Sequence, residues 1–113
     1  MKRLRIPLRV VFYKEAGHWI AHCLEFDLIG DGRSQKAALK MLNKAIQIQL
    51  EASLKHNNPR NLFTPADGMY FEMFAAGKDV AVGSLELQEL DNKPVTFDAV
   101  QAREYSGRVP ALA

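Results

Sequence analysis

Three acidic side chains lie close together in the sequence, at Glu25, Asp27 and Asp31. Glu25 and Asp27 share one face if they belong to a strand, because successive side chains alternate. Metal-dependent nucleases use converging carboxylates to hold divalent ions that activate water and stabilise the leaving oxygen. Acidic residues are also common at strand ends, and the sequence supplies no further ligands. We therefore predict no catalytic residue and no metal site, and keep nuclease activity as an alternative.

Two histidines and one cysteine are the other chemically versatile side chains of this region. His18 and His22 would suit a metal on a helix, but on a strand they lie roughly 13 Å apart. We expect them to line a partly covered sheet face. Cys23 is the only cysteine, which excludes a disulfide or a cysteine-based zinc site within one chain. A lone strand cysteine is usually a small buried hydrophobic residue, and no cofactor is expected.

Basic and aromatic residues follow the first two predicted strands. Arginine and aromatic side chains are enriched at protein interfaces. We therefore predict a partner-binding surface formed by Arg3, Arg5, Arg9, Tyr13 and Trp19. The alternative is a solvated strand whose charges discourage edge pairing.

The N-terminal third alternates between apolar and polar residues, which indicates strands. The apolar positions of the first run, Leu4 to Phe12, predict one buried face. A turn at Glu15-Ala16-Gly17 precedes a second strand run from His18 to Phe26, and a third strand is expected from about Leu28 to Gly32. The spacing predicts an antiparallel meander of three strands.

A long amphipathic helix is predicted from Gln35 to about His56, with Ser34 as its N-cap. We expect one face of this helix to pack on the first strand; the residues concerned are Leu42, Ile46 and Leu50 against Ile6, Leu8 and Val10. Thr64-Pro65 predicts the start of a short second helix that runs to Ala76, and Gly77 ends it.

The C-terminal third is predicted to be extended. Val80–Leu90 and Val95–Arg103 alternate and are joined by Asp91-Asn92-Lys93-Pro94, a turn-forming cluster. The fold class is therefore α+β: an antiparallel meander with one long helix packed on it, in the order β-β-β-α-β, then a short helix and a C-terminal β-hairpin or arm. We predict a single domain, 1–113, with residues 79–106 as the arm.

Composition restricts the class of protein further. The 113 residues are 48% hydrophobic and 25% charged, with a net charge of +2, which is ordinary for a globular domain and too weakly basic to indicate nucleic acid. No apolar run is long enough to span a bilayer. Pro7, Arg9, Tyr13 and Lys14 interrupt any signal-peptide core. A cytoplasmic protein without membrane contact is expected.

Three local patterns occur in the same order as in a known family. They are the run Tyr13-Lys14-Glu15-Ala16-Gly17-His18-Trp19-Ile20-Ala21-His22-Cys23, the helix start Gly32-Arg33-Ser34, and then Ala38-Leu39 and Ala45-Ile46. With these patterns the chain resembles the HicB-like antitoxin family over about residues 6–54. The resemblance implies a partial RNase H-like fold. It also implies a protein-binding module, not an enzyme, which neutralises a HicA-like mRNA endonuclease by occluding its active site.

The resemblance leaves two alternatives open: an RNase H-like metal-dependent nuclease, or a homodimeric structural domain without a toxin partner. Many HicB-like antitoxins add a helix-turn-helix or ribbon-helix-helix that binds DNA. Neither pattern follows Gly77, so DNA binding is not expected here. The unpaired backbone groups of an exposed sheet edge tend to pair with another chain. We therefore expect a homodimer, and we expect the C-terminal arm, Val80 to Arg103, to contribute to its interface.

Overall fold

A computed structural model describes residues 4–5, 7–55, 64–81, 85–90, 93–97 and 100–107. The described residues form eight strands and two helices. In chain order these are β1 (Leu4–Arg5), β2 (Leu8–Glu15), β3 (His18–Cys23), β4 (Leu28–Gly32), α1 (Gln35–Lys55), α2 (Gly68–Ala76), β5 (Lys78–Val80), β6 (Leu85–Leu90), β7 (Lys93–Phe97) and β8 (Val100–Glu104). The α+β class and the element order predicted from the sequence are confirmed.

Strands β2, β3 and β4 form the predicted antiparallel meander. Ala16 and Gly17 make the first turn with φ angles of 51° and 81°. Two consecutive positive φ angles suit a two-residue hairpin turn, and glycine adopts one at little cost. The residues from Leu24 to Asp27 form the second turn.

Strand β8 returns to the meander and pairs with β2 in parallel. The main sheet therefore has five strands in the order β4-β3-β2-β8-β5. Strand β2 is the central strand and is buried on both faces, since Val11 and Tyr13 are buried as well as Val10 and Phe12. The expected single buried face is thus wrong, because a second layer covers the other side of the sheet.

Helix α1 is the first of the two layers. Ser34 caps it as predicted, since the Ala37 N–H donates to Ser34 Oγ at 3.0 Å. The predicted contact face is confirmed for the described residues: Leu42, Ile46 and Leu50 are buried in one cluster with Leu8 and Val10. Ile6 and His56 lie outside the described residues.

Helix α2 is the second layer and is shorter than predicted. It begins at Gly68 and not at Pro65. The Ala66 N–H donates to the Leu24 carbonyl oxygen at 2.9 Å, so this backbone is bonded to the turn after β3 in place of a first helical turn. Met73 and Phe74 are buried on the face of the sheet opposite α1, and Gly77 ends the helix as predicted.

The predicted C-terminal arm, residues 79–106, contributes strands to two sheets. Strands β6 and β7 form an antiparallel hairpin, and β1 pairs with β7 to complete a three-stranded sheet. Strands β5 and β8 instead belong to the five-stranded sheet of the same chain. The first run of the sequence is correspondingly divided at Pro7, with β1 before it and β2 after it. No helix among the described residues is long and apolar enough to cross a membrane.

Candidate functional site

The three acidic residues considered as metal ligands, Glu25, Asp27 and Asp31, each contact a different side chain. The Glu25 carboxylate accepts from the Arg9 backbone N–H and from Arg9 Nε, both at 2.7 Å. Asp27 Oδ1 lies 2.8 Å from His22 Nε2, and Asp31 Oδ2 lies 3.7 Å from His18 Nδ1. Among the residues that the structure describes, no group of three His, Cys, Asp or Glu side chains could hold a metal ion.

The expectation that Glu25 and Asp27 lie on a strand is wrong, because strand β3 ends at Cys23. Both residues lie in the turn that follows. Asp27 has a φ of 51°, a left-handed conformation that aspartate tolerates better than most residues. The alternation rule applies only within a strand, so it does not place these two carboxylates. They bind different partners, Arg9 and His22, on the α2 side of the sheet.

A buried polar cluster forms where β2, the turn after β3 and α2 meet. His22 is only 3% exposed, and its Nδ1 lies 3.1 Å from the Tyr13 hydroxyl oxygen. A carboxylate accepts hydrogen bonds and does not donate them at neutral pH. The neutral imidazole therefore donates from Nε2 to Asp27 and accepts at Nδ1 from Tyr13. We call these three residues together with Tyr70 the His22 cluster.

The His22 cluster strongly favours the uncharged forms of its aromatic members. Burial lowers the pKa of His22, and the hydrogen bond to Asp27 only partly opposes this effect. Burial, followed by the nearby Tyr70, raises the pKa of Tyr13 well above its ordinary value. The Tyr70 ring lies 4.3 Å from that of His22 and stacks on Tyr13 at 5.9 Å. Both ring nitrogens of His22 therefore have hydrogen-bond partners, while the Asp27 side chain stays 47% exposed at the edge of the cluster.

The five residues predicted to bind a partner are not brought to one surface. Arg3 lies outside the described residues, as does the side chain of Arg5. Tyr13 is 3% exposed, so the expectation of an exposed aromatic group there is wrong. Its hydroxyl finds a partner in His22 and its ring lies under α2, which the sequence pattern of β2 alone does not reveal.

Arg9 and Trp19 lie on opposite faces of the main sheet. Arg9 is exposed, and its guanidinium stacks 4.7 Å from the centre of the Phe71 ring on the α2 side. Trp19 is half-buried against the cluster on the α1 side, with Lys14 Nζ 5.0 Å from its ring centre. Among the predicted partner-binding residues whose side chains the structure describes, Arg9 is the one with an exposed guanidinium. Arg9 also lines a shallow cleft of about 310 Å³ together with Glu25 and Gln101.

A second, more apolar groove lies between α1 and the edge strand β4. Its volume is about 370 Å³. Three large apolar residues line it although they are exposed: Ile29 by 53%, Met41 by 46% and Ile48 by 69%. Sequence reasoning missed this groove, yet a signal existed, since Met41 and Ile48 are apolar, seven positions apart and outside the buried stripe of α1. We call it the β4 groove.

Cys23 is fully buried beneath α1, as predicted. Burial raises the pKa of its thiol to about 12. The thiolate is the nucleophilic form of cysteine, so Cys23 serves as a small core residue.

Comparison of this chain with protein-family models, with curated proteins and with solved structures finds no match.

Proposed function

We propose that this chain is a cytoplasmic protein-binding module of the HicB-like kind, which neutralises a HicA-like mRNA endonuclease by covering its active site. The observation that best supports the proposal is the order of elements. Three antiparallel strands, β2 to β4, are followed by α1, and β8 then returns beside β2. This order agrees with what the sequence resemblance to the HicB-like family implies.

Inhibition by occlusion needs surface and not catalytic chemistry. The chemically versatile side chains of this domain are engaged within it: His22 with Tyr13 and Asp27, and Glu25 with Arg9. Arg9 nevertheless keeps 45% of its side chain exposed. A guanidinium held by an ion pair and an aromatic ring is preorganised for contact with a partner. We assign Arg9 to the toxin-facing surface.

The RNase H-like nuclease alternative lacks a supporting observation in the part of the chain that the structure describes. Its three candidate carboxylates make separate contacts and do not converge. A direct assay distinguishes the two functions: metal-dependent cleavage of RNA that is lost in Glu25→Gln and Asp27→Asn would favour the nuclease.

The proposal is tested by co-expression with the small reading frame adjacent to this gene. If that frame encodes a HicA-like toxin, this chain should co-purify with it and restore growth. Arg9→Ala should weaken the rescue, whereas Arg33→Ala, which removes an exposed arginine from the start of α1, should not. A chain that neither co-purifies with such a toxin nor restores growth contradicts the proposal.

A further inference from the structure

The outer edge of β4 carries backbone groups that face away from the sheet. The Leu24 N–H donates to the Arg9 carbonyl oxygen at 2.9 Å, one position beyond the ladder between β2 and β3. Hydrogen-bonded pairs alternate along an antiparallel ladder, so His22 and Ile20 direct their backbone groups to β2, and Ala21 directs its groups to β4. With Ala21 opposite Gly30, the backbone groups of the two residues beside Gly30 point outward.

Those two residues are Ile29 and Asp31, and they offer two N–H groups and two carbonyl oxygens. No other described strand pairs with this side of β4. An open edge of this kind is a template for another strand.

The two edges of the main sheet differ in how they are protected. Strand β5 is three residues long and presents the exposed side chains of Lys78 and Asp79. Short, charged edge strands resist pairing with other chains. Strand β4 is five residues long, has neither lysine nor proline, and carries one exposed charged residue, Asp31, beside the exposed apolar Ile29. The β4 edge is therefore longer and more apolar than the β5 edge.

The β4 groove extends this edge onto α1. A Cβ on Gly30 would collide with the backbone of α1 at Leu42 and Ala38, so the helix rests directly on the strand. As a result Met41 and Ile48 stand beside the open edge. Lys44 and Asp31 line the same groove with opposite charges, which gives the surface complementarity to a copy of itself.

We propose that the β4 edge and its groove form a homodimer interface in which β4 pairs antiparallel with the partner's β4 about a two-fold axis at Gly30. In this register Ile29 lies opposite the partner's Asp31, and all four outward backbone groups of each strand are paired. The two five-stranded sheets become one continuous sheet, and the exposed residues of each groove are covered by the other copy. The proposed interface at β4 differs from the one at the C-terminal arm that the sequence led us to expect, which stays a prediction.

The first test measures mass by sedimentation of the full chain at micromolar concentration. We expect a dimer. Ile48→Lys places a charge in each copy of the groove and should raise the dimer dissociation constant about 100-fold, because symmetry repeats the lost apolar burial. Ala75→Lys, at an exposed site on α2, should leave it unchanged. A monomeric parent chain, or a dimer that Ile48→Lys does not weaken, overturns the proposal.

The second test reads the register. Opposed residues of a hydrogen-bonded antiparallel pair have Cα atoms about 5.5 Å apart, within the range of a disulfide. Mixing Ile29→Cys with Asp31→Cys chains under mild oxidation should give a cross-linked dimer of one chain of each kind, whereas the parent chain, whose Cys23 is buried, should give none. If the chain is monomeric alone and Ile48→Lys abolishes binding of the toxin instead, the edge is a partner site and the dimer is wrong.

Discussion

At the scale of single residues, the His22 cluster shows how a buried polar group is accommodated. A polar group taken out of water without a hydrogen bond destabilises the fold by about 1–3 kcal/mol. His22 avoids this because Tyr13 and Asp27 satisfy its two nitrogens. The left-handed backbone of Asp27 brings its carboxylate back toward the strand. The turn after β3 therefore reverses the chain and also supplies a hydrogen-bond partner for the buried His22 side chain.

The lowered pKa of His22 predicts a specific dependence of stability on pH. As pH falls below the ordinary histidine value of 6.5, the unfolded chain binds this proton before the folded chain does. Stability should therefore be complete above that pH and decline below it, with a slope of up to about 1.4 kcal/mol per pH unit from this group. His22→Gln should remove that slope in chemical denaturation series, and His18→Gln, at an exposed histidine, should keep it. An unchanged slope in His22→Gln contradicts the assignment.

The residue scale is also where sequence reasoning about the site failed most clearly. The usual burial of a lone strand cysteine correctly predicted that Cys23 lies in the core. Alternation was applied past the end of β3 to Asp27, which lies in a turn, and it left Tyr13 exposed, because no local pattern shows that α2 will cover it. Both errors concern contacts made by residues distant in sequence or held in a turn.

At the scale of elements, the meander and α1 follow from local patterns. Period-two alternation, the Ala16-Gly17 turn, the Ser34 cap and the helical spacing of Leu42, Ile46 and Leu50 each act within a few residues. Strand β8 could not be placed in this way. Its pairing with β2 joins residues about 90 positions apart, and an alternating strand carries no mark of which partner it will choose.

The packing of α1 on the meander predicts a large effect of one truncation. Ile46 is completely buried, so Ile46→Ala should lower the free energy of unfolding by about 2–5 kcal/mol through lost transfer and a new cavity. Lys40→Ala, at an exposed position of the same helix, should change it by less than about 0.5 kcal/mol. Urea titrations at one fixed protein concentration measure both. A loss below about 1 kcal/mol for Ile46→Ala, under the cavity range, would mean that a different face of α1 meets the sheet.

At the scale of the whole molecule, the domain separates a sealed interior from surfaces suited to contact. Both faces of the main sheet are covered, one by α1 and the other by α2. Among the described residues, Arg9 on the α2 side and the β4 edge beside α1 are two exposed surfaces. The two proposals can be tested independently, because the proposed toxin contact involves Arg9 and the proposed dimer involves Ile29 and Ile48.

The measurement that tests the central claim most directly is inhibition of RNA cleavage with purified components. The product of the adjacent reading frame, which the proposal expects to be a HicA-like toxin, is incubated with an mRNA substrate while this chain is added in increasing amounts. We predict that cleavage stops near one chain per toxin and that the two proteins elute together in gel filtration. Cleavage that continues at full rate with this chain in several-fold excess, and separate elution of the two proteins, would contradict the account.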